Sequence, residues 1–216
     1  MIKIYQIYFN KSQIISLDPN FIPYYNPTLN KLKEYEIGVH IENYENKNYL
    51  NAKYTGFISW KFNEKTKISG EHFINFIEDN KGFDVYFINP FPQLSKLKNV
   101  WIQGNQYHPE IMEFTQKLFD KIGYHIILKE LTNHNNTLLY CNYWVGNKIF
   151  WNEYINFIKP LYNYIKHNMT AEETYFLSKK AAKYRNANYF PFIFERMFST
   201  FLVTNKKNLR YLAFVS

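Results

Sequence analysis

The chain has 216 residues and a mass of 26.3 kDa, enough for one sizeable α/β domain and short for two independent ones. Hydrophobic residues make up 46% and aromatic ones 20%, which excludes a disordered chain, because this much Tyr and Phe buries enough apolar surface to offset conformational entropy. A formal net charge of +8 raises the question of an anionic partner, but the lysines are scattered among abundant Asn, Ile, Tyr and Phe, so nucleic acid is not the expected partner.

Arginine is confined to Arg185, Arg196 and Arg210. Since a guanidinium suits bidentate phosphate or carboxylate contacts, each of these invites a question that the lysines do not. The lone cysteine, Cys141, has no internal disulfide partner, which fits a reducing interior. No run approaches the roughly 18 apolar residues of a membrane span, and the opening Met-Ile-Lys-Ile-Tyr-Gln-Ile-Tyr-Phe is too short and too alternating for a signal peptide. The expectation is a cytoplasmic protein, with peripheral contact to a membrane left open.

In chain order, Ile2 to Phe9 reads as a strand. The prolines from Pro19 to Pro27 predict a loop carrying Tyr24 and Tyr25, which either stack on a base or pack the loop down. Tyr54 to Phe62 reads as a second strand. Ser69 predicts a helix cap, with Phe73, Ile74, Phe76 and Ile77 on one face and Asn80-Lys81-Gly82 as the stop. The central stretch Gly82 to Pro92 then holds a buried strand ending at Asn89-Pro90, so that residues 54 to 88 form a strand-helix-strand unit.

Residues 99–109 predict a polar and aromatic loop, 110–122 a helix closed by Gly123, and Ile126 to Leu128 a short strand. Leu138 to Val145 predicts another strand with Gly146-Asn147 as a turn, followed by an aromatic helix over about 150–165. Thr170 and Glu173 form a Thr-x-x-Glu capping box. After Asn186, residues 190–202 read as a helix with Pro191 in its first turn, and Leu209 to Val215 as a last strand. The fold class is therefore α/β, a Rossmann-like, mixed and mainly parallel sheet flanked by helices, in a single domain over 1–216.

The seven glycines are isolated, so phosphate-loop and dinucleotide fingerprints are absent. Cys141 in its apolar run reads as a core residue ahead of a nucleophile. His108, His125 and His134 lack metal-ligand spacing. Glu195-Arg196 lies inside an otherwise apolar helix. Either the pair faces solvent or it points inward, where Arg196 suits a phosphate or carboxylate and Glu195 a sugar hydroxyl or a base role. His108 reads as a phosphate contact or a surface histidine. Asn142, Tyr143 and Trp144 read as a sugar-binding wall or as core.

Ile4-Tyr-Gln-Ile-Tyr8, Tyr54 to Lys61, Asp84 to Pro90, Tyr140 to Val145 and Phe194-Glu-Arg-Met-Phe-Ser199 together resemble, in their order, small GT-A-like glycosyltransferases of bacterial surface-polysaccharide clusters and large DNA viruses. The resemblance implies transfer of a sugar from a nucleotide-sugar donor to a glycan acceptor hydroxyl. It implies donor binding by Gln6, Tyr8, Lys61 and Arg196 and a role for Glu195; beside it, the residue readings give Asn89 as a further donor contact, Asn142 and Trp144 as acceptor contacts, and Glu195 and His108 as catalytic.

Many GT-A enzymes place an Asp-x-Asp motif after a strand such as 84–88, where two carboxylates hold a divalent ion, Mn or Mg, on the leaving diphosphate. Here Asn89 and Phe91 stand at those positions. Asp84, roughly 16 Å away along an extended strand at about 3.3 Å per residue, belongs to the opposite edge. The expectation is a reaction without a metal, with Lys61, His108 or Arg196 meeting the charge. The alternative is a protein of the same fold that binds nucleotide or carbohydrate without turnover.

Overall fold

The computed structural model describes residues 1–27, 34–181, 187–205 and 207–214. Arg185, Asn186 and Val215, which figure in the sequence reading, lie outside the described residues. The chain divides into two compact units, Met1–Pro90 with Leu139–Glu153 and Lys207–Ser216, and Phe91–Leu138 with Tyr154–Lys206.

The first unit holds six strands: β1 (Ile2–Tyr8), β2 (Ile22–Tyr25), β3 (Tyr54–Ser59), β4 (Val85–Ile88), β5 (Trp144–Asn147) and β6 (Tyr211–Phe214). They form one sheet in the order β2-β1-β3-β5-β4-β6. β1 runs parallel to β2 and β3, and β4 parallel to β6, while β5 runs antiparallel to both β3 and β4. All strands but β5 therefore share one direction, and their carboxyl ends share one edge. This is the mixed, mainly parallel α/β sheet expected from the sequence.

β2 corrects the loop reading. Pro23 sits opposite Gln6 on the outermost strand, and a proline is tolerated there because an edge strand has one row of N–H groups without a ladder partner. Tyr24 packs edge-on against Tyr5 and Phe57, and Tyr25 tilts against Tyr8. β5 is shorter than the expected strand. Cys141, at φ +71°, turns the backbone away from an extended path, while Gly146 and Asn147 pair within the sheet instead of turning.

The first unit also contains α1 (Tyr35–Glu45), α2 (Phe62–Thr66) and α3 (Gly70–Asp79). Ser69 caps α3 by accepting from the His72 N–H, and Phe73 and Ile77 bury its apolar face. Asp18 fixes the start of this helix. Its carboxylate accepts from Gly70 N at 2.7 Å, Asn63 Nδ2 at 2.5 Å and Asn20 N at 2.9 Å, and its own N–H donates to Gln6 Oε1 at 2.7 Å. Burial pushes the Asp18 carboxyl up, but the bonds from Gly70, Asn20 and Asn63 outweigh it and leave the pKa below the usual value.

This arrangement gives Gly70 a steric role. A Cβ there would stand 2.4 Å from Asp18 Oδ1 and 2.9 Å from the Phe21 ring, against a carboxylate that its hydrogen bonds hold in place. Gly70→Ala is therefore expected to destabilise by roughly 2 kcal/mol. Urea unfolding checks this. A gain of stability, the ordinary outcome for Gly→Ala in a helix, would mean that Asp18 yields.

The second unit holds α4 (Val100–Tyr107), α5 (Ile111–Lys121), α7 (Ala171–Ser178) and α8 (Tyr189–Thr204); α6 (Lys148–His167) starts in the first unit and ends in the second. α4 replaces the expected loop. Asn99 caps it, its Oδ1 accepting from Trp101 N and Ile102 N while its Nδ2 donates to Leu128 O and Leu131 O.

The strand expected at Ile126 to Leu128 is also absent, replaced by a 3-10 turn at Leu128–Glu130. Gln116 takes the place of a partner strand by donating to Ile126 O at 3.0 Å and accepting from Leu128 N at 2.8 Å. Gly123 at φ +75° follows α5, and the Thr170–Glu173 capping box opens α7 with both reciprocal bonds formed. Pro191 lies in the first turn of α8, whose side chains are buried from Tyr189 to Leu202 except at Glu195.

Candidate active site at the carboxyl edge of the sheet

In open α/β sheets ligands bind beyond the carboxyl ends of the parallel strands. In the first unit that edge is made by Tyr8, Tyr25, Ser59 and Ile88, with Asn89 just beyond β4 and Tyr143 just before the reversed β5. Tyr8 and Tyr25, opposite each other in register, bring their rings to 5.1 Å with Tyr25 exposed. Such a pair offers an aromatic surface to a flat ring.

At the end of β3, Ser59 Oγ accepts from Lys61 N at 3.2 Å and meets Tyr143 Oη at 3.4 Å. The Tyr143 carbonyl in turn accepts from Ile88 N at 3.0 Å, joining this group to the end of β4. Lys61 Nζ lies 4.9 Å from the centre of the Trp60 ring. One helical turn on, Lys65 Nζ donates to Cys141 Sγ at 3.1 Å and lies 5.9 Å from the Tyr143 ring centre. Both lysines are half-buried. Cys141 is thus a buried acceptor for a cation.

Gln6 is fully buried. Its Nε2 donates to Trp60 O and Asn63 Oδ1, at 3.3 and 3.4 Å, while Oε1 holds Asp18 N. It braces the loops at the edge, a positioning role in place of the donor contact expected. Asn89 is half-buried at the end of β4. Asp84 stands at the opposite end, accepting from Asn147 Nδ2 and Arg210 N at 2.8 Å each.

Trp144 corrects the expected sugar-binding wall. It is fully buried, 4.8 Å from His40, 4.7 Å from Trp151 and 5.1 Å from Phe150 between ring centres, because β5 is interior to the sheet. Asn142 differs: it is 4% exposed, and its Oδ1 has no hydrogen-bond partner among the described residues. A buried acceptor of this kind calls for a donor from water or ligand.

His108, Glu195 and Arg196 belong to the second unit. His108 ends α4 in place of the expected loop and is buried, with Nδ1 2.9 Å from Ala181 O and the ring stacked on Phe192 at 3.8 Å. Arg196 points inward and donates from Nε to Val100 O at 2.9 Å, from Nη1 to Phe192 O at 2.7 Å and from Nη2 to Gln103 Oε1 at 2.8 Å. These contacts give both residues structural work within their unit. Glu195 is half-buried on the same helix.

A groove of about 710 Å³ also lies in the second unit, lined by Glu110, Phe114, Lys121, Glu173 and Phe176 among others. The Lys121–Glu173 ion pair at 2.6 Å and the stacked Phe114 and Phe176 rings shape it. The sequence shows the helix over 110–122 and the Thr170–Glu173 cap there, but not the groove.

A divalent ion of the Asp-x-Asp kind does not fit the donors present. Asn89 offers one amide oxygen and Phe91 none, whereas hard cations take several oxygens, carboxylates foremost. Among the described residues no group of three or more His, Cys, Asp or Glu could hold a metal. Among them, too, no helix is long and apolar enough to cross a membrane.

The mixed α/β sheet, with β5 reversed between β3 and β4, has a solved counterpart in fold. The solved apo structure of the bifunctional glycosyltransferase WbbM is similar to the whole of this chain, with a TM-score of 0.52 at 15% sequence identity. The chain spans 45% of that protein's length. No protein-family model matches the chain, and no curated protein matches it.

Proposed function

We propose that this chain is a glycosyltransferase, a single functional domain that moves a sugar from a nucleotide-sugar donor to a glycan hydroxyl in the cytoplasm, without a metal. The observation that carries the reading is the glycosyltransferase-like fold across the whole chain, and the polar and cationic groups at the carboxyl edge agree with it. The Tyr8 and Tyr25 rings receive the base, Lys61 the diphosphate and Asn89 a donor hydroxyl, while Asn142 Oδ1 accepts from an acceptor hydroxyl. In the reaction the acceptor oxygen bonds to the anomeric carbon, and the bond from that carbon to the diphosphate oxygen breaks with its electron pair left on the diphosphate. The hydroxyl proton goes to a general base.

The test is incubation with UDP- and GDP-sugars, with CMP-sugars as monophosphate controls, and glycan acceptors, with EDTA or with manganese. Transfer from one donor class is expected, with equal rates in both conditions. A second reading, a binding protein without turnover, draws on the poverty of carboxylates at the sheet edge. Tight nucleotide binding with neither transfer nor donor hydrolysis would favour it.

A further inference from the structure

We infer that Lys65, acting with Lys61, is the cation that binds the donor's diphosphate, in the place where the resembled enzymes use a metal; this rests on the glycosyl-transfer reading. In the sequence Lys65 is one lysine among many, and its geometry sets it apart. Lys61 and Lys65 lie four residues apart, at the entry and in the last turn of α2, so both side chains project from one side of that short helix. Each ammonium is already oriented: Lys61 by the Trp60 ring, and Lys65 by the Cys141 sulfur and the Tyr143 ring. Holding a long, flexible side chain in place before the ligand arrives lowers the entropy lost on binding.

The location fits the task. Tyr143 joins the ends of β3 and β4 through its hydroxyl to Ser59 and its carbonyl to Ile88 N, so the ammonium beside it belongs to the stretch of edge where Asn89 provides no charge. When the sugar–diphosphate bond breaks, its electron pair settles on a diphosphate oxygen, and preorganised positive charge is most effective where such charge develops.

The test measures binding of inorganic pyrophosphate and of UDP, GDP and CMP by calorimetry in EDTA, together with transfer rates, for the wild type, Lys65→Met, Lys65→Arg and Cys141→Ala. Lys65→Met is expected to weaken binding of the diphosphates and of pyrophosphate roughly tenfold and to lower kcat roughly a hundredfold. Lys65→Arg retains most of both. Cys141→Ala, which releases the ammonium, weakens binding less than Lys65→Met does. An unchanged melting temperature separates loss of the site from loss of the fold. Wild-type affinity for pyrophosphate in Lys65→Met, or a wild type that binds diphosphates only with manganese, overturns the inference. Diphosphate binding lost in Lys65→Met while no donor is ever turned over leaves the inference standing and removes the transferase reading. Transfer that continues undiminished in Lys65→Met does the reverse.

Discussion

Replacing Arg196 by alanine is expected to lower the unfolding free energy by roughly 3–5 kcal/mol while leaving nucleotide affinity of the folded molecules unchanged. Arg196 is 3% exposed, and its guanidinium donates to Val100 O, Phe192 O and Gln103 Oε1. Its loss removes these bonds together, leaves the buried Gln103 oxygen without that donor and opens a void between α4 and α8. A loss of this size lowers Tm by roughly 6–20 °C in a chain of such length. Gly104 supplies an internal check, since a Cβ there would stand 2.5 Å from Arg196 Nε. Gly104→Ala should therefore be costly in the wild type and much milder beside Arg196→Ala, with a coupling of roughly 1 kcal/mol or more. If Arg196 were a donor ligand, the alanine variant would melt as the wild type does and fail to bind UDP, GDP or CMP.

Arg196 also marks how far the sequence can be read. A charge in the apolar run Phe192 to Phe198 announces an unusual residue, but its acceptors Val100 and Gln103 lie 96 and 93 residues earlier in the chain, and no local pattern connects them. Features decided within a few residues were legible. Ser69, the Thr170–Glu173 box, Gly123 and Pro191 all mark helix boundaries, because caps and backbone restrictions act locally. Features decided by distant partners were not. Asn99 starts a helix because it also anchors carbonyls near residue 130, and Gln116 occupies the backbone groups that would have made a strand of Ile126 to Leu128.

The candidate site follows the same division. That the ends of β1, β3 and β4 were the places to look for a site followed from strand-like runs with marked ends, and the missing carboxylates at Asn89 and Phe91 were plain in the sequence. The reversal of β5 was not, because hydrophobic runs do not encode direction. That reversal delivers Tyr143 to the ends of β3 and β4 and buries it as fully as Trp144, so the short run ties the edge together from within the core. For Lys65 a weak signal existed: a lysine four residues after Lys61, just past a strand end carrying Trp60. It gains meaning only once Cys141 is seen beside it.

Acidification is expected to cost the protein about 2 kcal/mol of stability between pH 7.5 and pH 5 through one side chain, His40. This residue of α1 is fully buried against Trp144, Trp151 and Phe57. Its Nε2 lies 2.8 Å from Phe57 O, so that nitrogen carries the hydrogen and donates, while Nδ1 has no hydrogen-bond partner among the described residues. Burial lowers its pKa from 6.5 to about 4, against a smaller opposing effect of the Phe57 bond. The folded state thus resists a proton that the unfolded chain accepts. Stability is complete above the unfolded value, declines as pH falls from about 6.5 toward 4, and loses about 3 kcal/mol in all at 1.36 kcal/mol per pH unit. Asp18 and Glu173, both held below their ordinary values of 3.8 and 4.5, lose their contributions only in more acidic solution. Urea unfolding at pH 7.5 and pH 5 therefore isolates the histidine. His40→Gln retains a donor for Phe57 O but cannot titrate there, and should remove most of the difference between the two conditions. An equal difference in that variant would assign the acid sensitivity to other groups, and would mean that the aromatic cluster under β3 and β5 admits a charged ring.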